Sequence, residues 1–335
     1  MTSSRFWMAI VMSLCALISL LPAAASQTPS PALLVLEKDD NTLAIVDPAT
    51  LKIVARLPAG TDPHEIVASS DGTRAYISNY GAFRTPQHTL SVVDLTSQKA
   101  LSPVNLGPLL APHGLEIVND KVYFTAEGSK VIGSYDPATN QVAWVVGIGQ
   151  NRTHMLKVQP GLSQIFTANV GSNTVTFLEP DKKADASGWT EINVEVGKAP
   201  EGFDVSPDGK ELWAASHQDT VTILDVATKK VIQTIHTGTK FANRLKFTPD
   251  GKRVLISDLG TGDLIVLDAA SHKEIKRISL GHGCAGILIV PDGSLAYVAV
   301  SPDSNVAVVD LKTLTVTGRI ATGKGPDGLA WAVRK

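Results

Sequence analysis

Three of the chain's eight histidines, His64, His113 and His154, follow the turns Asp62-Pro63, Ala111-Pro112 and Arg152-Thr153 at intervals of about one repeat. Glu201, Asn243, Ala285 and Asp327 follow comparable turns further along. Imidazoles and carboxylates recurring at one structural position suit several chemistries. Three neutral imidazoles converging from neighbouring elements would hold Zn²⁺ or Fe²⁺ with a position open for water or substrate. Glu201 or Asp327 would then serve as general base, and Arg244, one residue past Asn243, would clamp an anion. A fourth histidine, His282, stands three residues before Ala285. The same pattern also arises where a turn faces a wet funnel and takes polar residues whether or not they react.

The elements that must position these residues are legible in Gly197 to Asp225, which reads GKAPEGFDVSPDGKELWAASHQDTVTILD. A turn leads into a short apolar strand, and Pro207-Asp208-Gly209 reverses the chain, as Asp and Gly are suited to do. A second strand follows from Glu211 and a third alternates to Asp225, with Lys229 to His236 as a fourth. An acidic residue closes the third strand at Asp47, Asp94, Asp136, Glu179, Asp225, Asp268 and Asp310, spaced by 42 to 47 residues. Seven blade-sized units of four antiparallel strands predict an all-β, seven-bladed β-propeller. The first unit lacks a first strand and the last, Gly323 to Val333, contains little else. Pairing Gly328 to Val333 with Leu33 to Glu37 closes the ring and removes two exposed edges.

Tyr76-Ile77-Ser78-Asn79 with Thr89 to Asp94, and Phe166-Thr167-Ala168-Asn169 with Ser172 to Val175, resemble the repeat of the YVTN family, which includes YncE-like proteins. Ser206 to Gly209 resembles it again. The resemblance implies a secreted or periplasmic seven-bladed propeller, and the architecture carries many activities. In such a fold the seven turn positions line one mouth of the central channel. The loops between second and third strands on that face add Asn79, Tyr80, Arg84, His88, Glu127, Asn169, His217, Asp258 and Asp303.

Composition narrows the classes. Residues 1–25 read as a Sec-type signal peptide, with Arg5, an apolar run from Phe6 to Leu21, and Ala23-Ala24-Ala25 before the cleavage site. Residues 26–31 form a short linker, and 32–335 a single domain. Only Cys284 remains in the mature chain, so the fold is expected to rest on its core and not on a disulfide. Its place beside a small-residue turn reads as packing. The formal net charge of −2, with no block of Lys or Arg, disfavours nucleic acid as a partner. No membrane span is expected after signal removal, and a monomer is expected. Motifs for a serine hydrolase, a nucleotide enzyme or a c-type cytochrome are missing from the sequence. Two readings remain: an extracytoplasmic binding or scaffold protein whose funnel, with His64, His113, His154, Glu201, Asn243, Arg244 and Asp327, holds a small ligand or partner; or a metal-dependent hydrolase of lactonase type, or a lyase.

Overall fold

The computed structural model describes residues 27–82, 84–181 and 188–335. The expected signal peptide, residues 1–25, lies outside them. Among the described residues, seven four-stranded antiparallel sheets are arranged as blades. Their first strands are Pro63–Ala68, Pro112–Val118, Thr153–Val158, Pro200–Val205, Ala242–Phe247, Cys284–Ile289 and Pro326–Ala332, which open blades I to VII in that order. The last pairs with Ala32–Glu37 through Leu33–Trp331, Leu34–Ala330 and Val35–Leu329, so the ring closes as the sequence predicts.

Second and third strands carry runs of buried residues, as in Leu212–Ser216 and Val221–Leu224, because both their faces are covered by neighbouring blades. Fourth strands alternate, as Gln141–Gly147 does, with one face wet. The core is therefore a set of slabs between blades. Met155, Phe166 and Phe177 of blade III pack on Phe203, Val205 and Leu212 of blade IV. Each buried residue of this kind contributes on the order of 1.5–3 kcal/mol. Trp144 and Trp189 meet edge-on between the outer strands of blades II and III, and Trp331 stacks on Tyr297 across the VI–VII boundary.

The closing acids of the third strands are structural. Asp47, Asp136, Asp225 and Asp310 each accept a backbone N–H two or three residues on. Asp208, Asp250 and Asp292 do the same in the hairpins of the opposite face. The stretch from Gly81 to His88, which reads as a lengthened loop, is instead an extension of the hairpin, with Gly81 opposite Pro86 and Ala82 opposite Thr85. Cys284 is fully buried, and burial pushes its thiol up to about 12.

Candidate functional site

Every first strand breaks register with its neighbour at the turn position. The irregularity falls between Pro63 and Ile66, Pro112 and Leu115, Thr153 and Met155, Pro200 and Gly202, Ala242 and Arg244, and Cys284 and Ile287. In blade VII it falls opposite Pro326–Leu329. A β-bulge re-aims a side chain. Here seven of them present His64, His113, His154, Glu201, Asn243, Ala285 and Asp327 at the start of the innermost strands. Second-strand hydroxyls satisfy backbone donors that the bulge frees: Ser78 accepts from Glu65 N–H, Thr125 from Gly114 N–H and Ser257 from Arg244 N–H. Thr125 and Ser257 also donate to the His154 and Ala285 carbonyls, stitching one blade to the next.

Small residues just after the ring position let the strands converge. A Cβ on Gly114 or Gly202 would lie 2.7 Å from the backbone of the next blade, and one on Gly286 would overlap the Asp327 carbonyl.

A second ring stands one residue beyond six of the second strands, at Glu127, Val170, His217, Leu259, Ser301 and Lys38, and at the equivalent Tyr80 within the longer strand Arg74–Ala82. Each donates its backbone N–H, over 2.9–3.3 Å, to the carbonyl of the turn residue that precedes its own blade's first strand. This register is countable in the sequence, and of the loop residues expected on this face Tyr80, Glu127 and His217 fall on it. Asn79 and Asn169 instead tie second to third strands through Thr89 and Ser91, and through Thr174 and Thr176. Asp258 caps the Lys240 and Phe241 N–H groups. Asp303 holds the exposed His282, 2.7 Å away.

The two rings interlock into a polar plug. Glu201 accepts from His217 Nε2 at 2.6 Å, Asn243 Nδ2 at 2.6 Å and Arg244 Nη1 at 3.2 Å. His154 bonds Glu127 through Nδ1, and its Nε2 stands 3.4 Å from Glu201. Burial disfavours the imidazolium of His154, but Glu201 and Glu127 outweigh it and raise its pKa to about 9. Burial likewise works against the Glu201 carboxylate, and His154, His217 and Arg244 nonetheless hold it well below the usual range. His113 stacks on His154 with ring centres 3.6 Å apart. Burial first, and the neighbouring cations second, keep His113 neutral. Its Nε2 meets His64 Nδ1 at 3.1 Å, and His64 Nε2 meets Asp62 at 3.2 Å. Tyr80 donates to Glu127 at 2.7 Å, and Lys38 to Asp327 at 3.4 Å. Below the rings Arg244 pairs with Glu65 on the far side of the axis, so the channel is crossed at mid-height.

The three ring histidines do come together, but the expected metal centre is not met. Among the described residues no group of three His, Cys, Asp or Glu side chains is disposed to hold a metal ion. The reason is that the nitrogens face one another and the carboxylates. His113 Nδ1, the one without a partner in the His64–His113 pair, is sealed from solvent. Glu201 is saturated with donors, and Arg244 is spent on Glu65, Glu201 and the Asn243 carbonyl.

Above the plug the rim is different in character. His64 lies against Tyr80, with centroids 4.9 Å apart, and His217 stacks on Phe241 at 3.8 Å. Exposed cations stand on the turns entering the first strands: Arg152, Lys198, Lys240 and Lys324. Acidic groups share the rim at Asp39, Asp40, Asp62 and Asp303.

Residues 88–290, more than half of the chain, match the cytochrome D1 heme domain family. The chain belongs to that family. Comparison with curated proteins gives no match. Among solved structures it is similar to a functionally unknown protein from Desulfotomaculum acetoxidans, at 15% identity over 91% of this chain and 100% of that one, with a TM-score of 0.74. It is also similar to a putative 6-phosphogluconolactonase from Bacteroides uniformis, at 15% identity, 90% and 99% coverage and a TM-score of 0.72. The dihydro-heme d1 dehydrogenase NirN, solved in complex with DHE, matches at 16% identity over 93% of this chain and 78% of that one, with a TM-score of 0.62. At these identities the likeness is one of fold. For this member of the cytochrome D1 heme domain family, the ring donors do not fit an axially ligated heme. His64 has a partner at each nitrogen, His154 is bonded through Nδ1 to Glu127 while its buried Nε2 makes no hydrogen bond and stands 3.4 Å from the Glu201 carboxylate, and His113 Nδ1 is sealed from solvent.

Proposed function

We propose that the protein is an extracytoplasmic binding protein whose channel mouth takes a flat, acidic small molecule of the porphyrin-carboxylate kind, seated on the rim above the plug. The observation that carries this reading is the contrast between the two layers. Buried charges are costly to fold around unless fully paired, and here they are paired to saturation, which makes a rigid floor and a poor proton donor or acceptor. The rim keeps two aromatic platforms, His64–Tyr80 and His217–Phe241, and turn cations without ion pairs among the described residues, Lys198, Lys240 and Lys324. Flat ligands are held by ring faces and their acidic groups by cations. Membership of a heme-domain family is consistent with a flat macrocyclic ligand, held here by its face and edges. The saturation of Glu201 and Arg244 speaks against the hydrolase reading.

An extracytoplasmic location is supported by the character of residues 1–25. A YVTN type of repeat is supported by the matching roles of Asn79 and Asn169. Among the described residues no helix is long and apolar enough to cross a membrane.

The test is a fluorescence titration with protoporphyrin IX. The Lys198→Gln, Lys240→Gln, Lys324→Gln variant removes three exposed cations without touching the plug. Exposed charge contacts are worth about 0.2–1 kcal/mol each, so affinity should fall roughly threefold to more than tenfold, with a weaker salt dependence. Unchanged affinity in that variant, or no binding by the wild type, refutes the assignment.

A further inference from the structure

The channel does not end at the plug. Beneath the Arg244–Glu65 pair it opens again, toward the face that carries the Pro-Asp-Gly hairpins, into a cavity of about 420 Å³. Its wall carries two kinds of residue, charged and apolar, from neighbouring positions of the inner strands. Ile66, Ile117, Ile287, Ile289, Leu329 and Trp331 give it apolar surface. Between them stand Glu65, Glu116, Lys157, Arg244 and Lys246.

The charges of this cavity can be paired off, and one is left. Arg244 takes Glu65. Lys157 takes Glu116 at 3.1 Å and approaches Asp204 to 3.9 Å. Glu116 also accepts the Val158 N–H, and Asp204 is held by the Val205 and Phe247 N–H groups at 3.0 Å each. Among the described residues Lys246 has no ion pair within 4 Å and no hydrogen bond; it acts on Glu116 only from beyond that distance, and Glu116 is already held by Lys157. Lys246 is half-buried on the inner strand Ala242–Phe247, and it lines both this cavity and an adjoining one of about 370 Å³ that reaches Pro207 and Pro249. An ammonium that is partly desolvated beside apolar surface is unfavourable by itself and attracts an anion.

We infer that the lower channel is a second binding site, for an apolar molecule ending in a single carboxylate. The carboxylate meets Lys246, and the hydrocarbon lies along Ile117, Ile289, Leu329 and Trp331, which keep part of their surface open to the cavity. The cavity volume falls within the range of small-molecule pockets, about 300–1,000 Å³. The Arg244–Glu65 pair separates this site from the upper mouth, so the two are assigned independently.

The experiment is isothermal titration of the full mature chain with octanoate, and separately with octylammonium, which has the same tail and the opposite charge. The wild type should bind octanoate and bind octylammonium at least tenfold more weakly. Lys246→Met should weaken octanoate at least tenfold, a charge-assisted hydrogen bond being worth about 1.5–3 kcal/mol, while Lys246→Arg retains most of the affinity. Octanoate that does not bind, or equal affinity for the two head groups in the wild type, overturns the inference whatever the variants do. Equal octanoate affinity in a folded Lys246→Met variant overturns it as well.

Discussion

His154 makes the stability of this propeller depend on pH in a window where few other groups titrate. Its imidazolium is fixed between Glu127 and Glu201, and the folded pKa of about 9 stands against an ordinary value of 6.5. The folded state therefore binds the proton more tightly than the unfolded chain does. The stabilisation is fully present below about pH 6.5 and is lost as pH rises through the folded pKa near 9. At about 1.4 kcal/mol per pH unit, the difference amounts to about 3 kcal/mol. His113 works in the opposite sense. Its folded pKa is depressed by burial, so its contribution is lost as pH falls below its ordinary 6.5 and does not enter the upper window. Urea denaturation of wild type and His154→Gln at about pH 6.5 and about pH 9.5 isolates the effect. The wild type should lose about 3 kcal/mol more than the variant over that interval. Destabilisation from the Cys284 thiol, whose burial also matters at the alkaline end, cancels in the comparison. Equal losses in the two proteins refute the clamped imidazolium.

Two further expectations follow from the packing. Gly286→Ala places a Cβ against the Asp327 carbonyl where blades VI and VII converge, and should cost about 1–3 kcal/mol in the denaturation midpoint; an unchanged midpoint means the inner strands have slack. Cys284 is fully buried with its thiol pushed up to about 12, so it should react with a disulfide reagent only after denaturant is added, and prompt labelling of the native protein would contradict its packing role.

The fold was legible because a propeller writes its geometry into the sequence seven times. Each Asp47-type residue marks the end of a third strand whether or not its neighbours diverge, and the missing first strand before Ala32 required the closure by Pro326–Ala332. The ring residues were legible for the same reason. What they do together was not. Glu65 follows His64 as Arg244 follows Asn243, but the pairing of the two across the axis depends on channel width, which the repeat does not encode. Lys38 lies in the shared blade, where the chain termini obscure the register. The second ring was visible only in part, because Asn79 and Asn169 stand one residue short of it and bond inward. The metal expectation failed for a physical reason that spacing does not encode. Imidazoles from adjacent blades meet as a stack and a hydrogen-bonded pair, and Glu127 and Glu201 reach the nitrogens first.

The flat acidic molecule proposed for the mouth is held by its face and edges, with the ring histidines already engaged in the plug. Parallel titration with hemin and with iron-free protoporphyrin IX tests this mode of binding most directly. The two affinities should lie within about threefold of each other, less than about 1 kcal/mol, and the hemin spectrum should be the same in wild type and His64→Ala. Hemin bound far more tightly than the free porphyrin, with a Soret shift abolished by His64→Ala, would contradict it.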